Sequence, residues 1–103
     1  MTGTIDLSAD ERAIVCDVLR THLPPGTGVW VFGSRATGNA RRYSDLDLAL
    51  EADRPLGLAV LADVAGALSE SDLPYKVDVI DLRSVDPGFR ALIEPEMVAL
   101  AIR

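Results

Sequence analysis

The sequence contains a single cysteine, Cys16, and a single histidine, His22. One thiol cannot close an internal disulfide, and no Cys/His spacing suits a zinc site. Cys16 falls in an expected helix and reads as a small buried apolar group. His22 closes that helix, where a cation favours the dipole, and is assigned no catalysis. No apolar run approaches the ~20 residues of a membrane span and no charged-then-apolar leader opens the chain, so a soluble cytoplasmic protein is expected. Basic residues are few, ten against sixteen acidic for a net charge of −6, which argues against direct binding to a nucleic-acid backbone. Ser-His-Asp arrangements, Walker loops and dinucleotide fingerprints are absent. The nearest approach, Gly33-Ser34-Arg35-Ala36-Thr37-Gly38, lacks the Lys-Ser/Thr ending a P-loop requires. Neither repeats nor low-complexity tracts occur.

What remains is the composition of a globular protein, 49% hydrophobic and 25% charged over 103 residues. That length allows one domain, 1–103, with a single core. It leaves no room for a separate acceptor-binding module.

The chain reads as alternating helices and strands. Ser8-Ala9-Asp10-Glu11 has the form of a capping box, and Ala13, Ile14, Val18 and Leu19 follow at helical spacing until Pro24-Pro25-Gly26. Val29 to Phe32 is a short apolar strand. Residues 34–44 form a loop with one helical turn after Ser34, and a second strand holds Asp45 and Asp47 and closes near Glu51. Leu58, Leu61, Val64, Ala65 and Leu68 mark an amphipathic helix ending at Ser69. Lys76 to Asp81 is a third strand, with Val77 and Val79 on one side and Asp78 and Ile80 on the other. Asp86-Pro87 caps a helical tail that Pro95 splits in two. The expected architecture is α/β, a small mixed β-sheet of three strands with helices packed on one face.

The chemistry concentrates between Val29 and Leu50. In an extended chain, residues two apart share a face about 6.6 Å apart, so Asp45 and Asp47 stand together while Leu46 and Leu48 face the core. Two adjacent carboxylates repel unless a cation neutralises them, and Mg²⁺ prefers such oxygen ligands. The Gly33-Ser34 turn offers backbone N–H groups and a hydroxyl to phosphate oxygens. Arg35, Arg41 and Arg42 make a local positive patch in an acidic protein, suited to a triphosphate.

The pattern Gly33-Ser34, ten intervening residues, then Asp45-Leu46-Asp47 resembles the signature of the DNA polymerase beta-like nucleotidyltransferase superfamily, specifically its minimal nucleotidyltransferase branch. The resemblance implies that Asp45, Asp47 and Asp78 are the catalytic, metal-holding carboxylates, binding two Mg²⁺ ions. It also implies that Gly33, Ser34 and Arg35 contact the nucleotide, with ATP as substrate. Stand-alone domains of this size in the family are antitoxins that add AMP to a tyrosine of a HEPN ribonuclease toxin, so a cognate toxin is the implied partner.

Alternatives remain at several positions. Asp81 rivals Asp78 as third carboxylate, although its odd spacing turns it to the opposite face and favours a strand-ending turn role. Arg35 either neutralises phosphate or holds the loop by pairing with an acidic side chain. Arg41 and Arg42 suit a solvated loop as well as they suit triphosphate, and Trp30 and Tyr43 could stack on a base or simply pack. A non-catalytic antitoxin acting by occlusion, with the apolar tail Phe89, Leu92, Ile93, Met97, Val98, Leu100 and Ile102 docking the partner, is the second functional reading. A transferase acting on a small-molecule hydroxyl is the third.

Overall fold

Helix α1 (Ala9–His22) starts where the sequence places it: the Glu11 N–H donates to Ser8 Oγ and the Ser8 N–H to Glu11 Oε1, both at 3.1 Å. The structure, a computed structural model, describes residues 4–102. Strand β1 (Gly28–Phe32) follows, then a single turn α2 (Ser34–Thr37), strand β2 (Leu46–Glu51), helix α3 (Leu58–Ser69) and strand β3 (Val77–Asp81). Helix α4 (Pro87–Ile93), a 3-10 turn (Glu94–Glu96) and strand β4 (Val98–Ala99) complete it.

The sheet is mixed, as expected, but has four strands in the order β3-β2-β1-β4. β1 runs antiparallel to β2 and β4, and β2 runs parallel to β3. The fourth strand corrects the helical reading of the tail. Pro95 sits in the first turn of the 3-10 segment, where its missing N–H is tolerated. Val98 then pairs with Val31 at the open edge of β1, a position that suits a β-branched residue.

One face of the sheet carries the main core, in which Val15 and Leu19 of α1 and Val64 and Leu68 of α3 meet Val31, Leu46, Leu48 and Leu50. Cys16 is buried at its edge and its thiol faces the Ala101 carbonyl at 3.6 Å. Leu58, placed on the apolar face of α3 by its spacing, instead lies in the first turn at 86% exposure. The second face is partly covered too. Ile93 of α4 packs with Phe32, Ala49 and Leu82, bordered by Trp30, Ile80 and Met97. α1 and α3 thus shield one face, and α4 shields part of the other. What α4 leaves open is the end carrying the aspartates.

Candidate active site

Strand register builds the site. Phe32 is opposite Asp47, and Asp47 is opposite Asp78, so the three side chains form one row on the second face, because partners in register share a side. The next row is Trp30, Ala49 and Ile80, part of the apolar patch under α4. Adjacent strands lie about 4.8 Å apart, which brings the Asp47 and Asp78 carboxylates onto neighbouring ground. Asp45 stands just outside β2, exposed, in the loop leading into the strand.

Electrostatics at Asp47 register this crowding. Its carboxyl titrates above its ordinary 3.8, first because it is partly buried and then because of Asp78, Asp45 and Glu96, with Lys76 acting in the opposite direction. Lys76 pairs with Asp78 at 3.4 Å. A carboxyl raised by folding contributes stability that is full below its unfolded value and lost as pH rises through the folded value. Once ionised, Asp47 therefore opposes folding. A cation at this face would relieve the repulsion.

The donor set fits such a cation in chemistry: hard carboxylate oxygens on one face, with too few positive neighbours. Yet no group of three His, Cys, Asp or Glu side chains among the described residues converges into a ready-made cage. One of the carboxylates, Asp78, is already paired with Lys76.

The turn after β1 lies directly against Asp47. Gly33 adopts φ +75°, and a Cβ added there would overlap Asp47 Oδ2. The left-handed backbone favours glycine here, and an added Cβ would push the end of the Asp47 side chain out of its place. Gly33→Ala should therefore lower activity by about 100-fold, the scale of a misplaced catalytic group, and also lower Tm. Steady-state kinetics and a thermal melt check both. Beyond Gly33 the chain enters α2, where the Ala36 and Thr37 N–H groups return to the Gly33 carbonyl at 3.0 and 3.1 Å.

Arg35, the residue left open between phosphate and loop, is engaged with the loop. It is 3% exposed. Its guanidinium donates to the carbonyls of Ser44 (Nε, 3.0 Å), Asp6 (Nη1, 2.9 Å) and Arg42 (Nη2, 3.1 Å). Its plane lies 3.8 Å over the Tyr75 ring. It holds the loop, through backbone oxygens rather than an acidic side chain. Burial, followed by the nearby Glu11 carboxylate, pushes the Tyr75 hydroxyl above its usual pKa. Glu11 is engaged with the Ser8 N–H, and Tyr75 Oη makes no hydrogen bond.

Asp81 proves to be a turn residue. It is buried, and its carboxylate accepts from the Leu56 N–H at 2.9 Å, the Arg83 N–H at 3.0 Å and Ser84 Oγ at 3.2 Å. Arg41 and Arg42 are exposed, and Arg42 stacks 5.3 Å from the exposed Tyr43 ring. Trp30 packs over Gly28. Two charged residues near the site were not singled out from sequence. Lys76 shares the Asp78 face by its two-residue spacing, a signal that was available. Glu96 had none, because only the folding back of the tail brings its Oε1 to the Gly33 N–H, at 2.8 Å. Beyond the carboxylates an open cleft of 630 Å³ follows the free edge of β3, from Ser69 and Pro74 to Asp78.

Comparison with known proteins follows the same lines. Residues 18–101 match the family model described as polymerase beta, nucleotidyltransferase. The chain is 41% identical over 96 residues to the "Probable protein adenylyltransferase MntA" of Haemophilus influenzae, covering 93% of this chain and 83% of that one. A toxin-antitoxin crystal structure with AMP-PNP superposes with a TM-score of 0.73 at 27% identity, covering 87% of this chain and 72% of the other. The fold also matches, at 24% identity, a complex of tri-AMPylated Shewanella oneidensis HEPN toxin with MNT antitoxin, with a TM-score of 0.69 over 87% of this chain and 68% of that chain.

Proposed function

The chain belongs to the polymerase beta nucleotidyltransferase family, and from that premise we propose that it is an antitoxin transferring AMP from ATP, with Mg²⁺, to a tyrosine hydroxyl of a HEPN-type toxin. The observation that carries the reading is the register of Asp47 with Asp78, beside a glycine turn that touches Asp47. The MntA relative supports a protein as acceptor, and the AMP-PNP complex of a related pair supports ATP as donor.

Each residue then has a task. Asp45, Asp47 and Asp78 would hold the Mg²⁺ ions. When bound, Mg²⁺ neutralises triphosphate charge and makes an attacking hydroxyl easier to deprotonate. Gly33 sets the turn against Asp47, and the backbone N–H groups beyond it, with the Ser34 hydroxyl, would orient the outer phosphates. The acceptor oxygen forms a bond to the α-phosphorus, the bond to pyrophosphate breaks, and the hydroxyl gives its proton to the Asp78 carboxylate. Asp78 is half exposed on the edge strand, next to the cleft along β3, which leaves space for a protein segment to approach.

The test uses α-labelled ATP, Mg²⁺ and the product of the neighbouring gene. Label should move to that protein, with none moving in excess EDTA or with Asp45→Asn/Asp47→Asn. Cell protection that survives the double change would instead establish occlusion, for which the exposed Phe89 and Leu92 on α4 provide the apolar surface.

A further inference from the structure

Glu96 reaches the site from the 3-10 turn after α4, far in sequence from Asp45, Asp47 and Asp78. It ends the 3-10 turn and immediately precedes Met97 and β4, which is locked to β1 at Val31. Proline on one side and a paired strand on the other leave little freedom in where its backbone sits. Its Oε1 accepts the Gly33 N–H at 2.8 Å. That N–H lies at the end of β1, where the ladder stops and the chain takes up its left-handed φ. A peptide entering such a conformation has no ladder partner to fix its orientation, and Glu96 supplies one. Gly33 in turn abuts Asp47 Oδ2. The three groups form one continuous contact, from the C-terminal strand through the turn to the central aspartate.

We propose that Glu96 is a positioning residue for nucleotidyl transfer, clamping the Gly33 peptide so that the phosphate-binding turn and Asp47 keep their mutual placement. It rests on the function proposed above. Glu96 acts by accepting a hydrogen bond, which a glutamine side-chain oxygen can also do. A further ligand for a cation would instead need its negative charge. The pair Glu96→Gln and Glu96→Ala separates these roles.

Two readouts are required, one of them independent of activity. In the full-length protein without nucleotide, Glu96→Ala should speed hydrogen exchange of the Gly33 amide by about 10-fold or more relative to wild type, because a charge-assisted hydrogen bond is lost. Glu96→Gln should leave it nearly unchanged. In the transfer assay, Glu96→Ala should lower kcat by about 10-fold or more, in line with the sensitivity of such steps to small displacements. The KM of the partner protein should not move, and Glu96→Gln should restore most of kcat. Equal impairment of both variants, with a raised Mg²⁺ requirement, would overturn positioning in favour of cation binding. Unchanged Gly33 exchange in Glu96→Ala would overturn it outright. If wild type transfers no label, the function proposed above has failed, and the exchange experiment still decides whether the clamp exists.

Discussion

Asp47→Asn should reduce AMP transfer by about 1000-fold or more while making the metal-free protein more stable. A bound divalent cation supplies several kcal/mol to a phosphoryl-type transition state. At about 1.4 kcal/mol per factor of ten, losing ~4 kcal/mol gives that loss of rate. Stability moves the other way because the ionised Asp47 is already disfavoured by burial and by Asp78, Asp45 and Glu96. The neutral amide removes that repulsion and keeps the shape. Tm should rise by a few degrees in EDTA wherever the wild-type Asp47 is ionised, since about 1 kcal/mol moves Tm by roughly 4–8 °C in a domain of this size. The gain should shrink as the pH falls and Asp47 in the wild type takes up its proton. Thermal melts across pH, with and without Mg²⁺, measure this. A variant less stable than wild type at neutral pH in EDTA would remove the argument that the carboxylates await a cation.

The expectation that Asp47 opposes folding also says why the candidate site was legible in the sequence. Such a site stands out in sequence as breaches of local pattern: an acid at the entrance of an apolar strand and another within it, and a glycine-serine turn cutting an apolar run short. Period-two alternation placed Asp78 on the Asp47 face and turned Asp81 away, and the parallel register of β2 with β3 agrees. The capping box and the bounds of α3 were legible for the same local reason. The tail was not. Its apolar residues fit a helix as well as a strand, and only the unpaired edge of β1 makes Val98–Ala99 extend. Glu96 was invisible because its partner lies 63 residues away. Arg35 stayed open between phosphate and loop because sequence shows that a cation stands in the turn, not which way it points.

Arg35→Met should cost about 2–4 kcal/mol of stability, the range for removing a buried, hydrogen-bonded cation's partners, and lower Tm by roughly 10–25 °C. The guanidinium ties its own turn to two other stretches, through the carbonyls of Asp6 before α1 and of Arg42 and Ser44 in the loop leading to Asp45. Methionine fills much of the volume but leaves those oxygens without donors and gives up the cation stacked on Tyr75. Arg35→Lys should rescue only part, because a single ammonium cannot serve carbonyls that approach a planar fork from several sides. Activity separates this role from phosphate binding. If Arg35 only holds the loop, Arg35→Met assayed well below its lowered Tm should keep the wild-type KM for ATP within about threefold, a change of roughly 0.6 kcal/mol, and lose far less kcat than Asp47→Asn. An unchanged Tm with a KM for ATP raised tenfold or more would place the guanidinium on the triphosphate after all. The burial of Arg35 and the engagement of its guanidinium with backbone carbonyls are the reason to expect the first result.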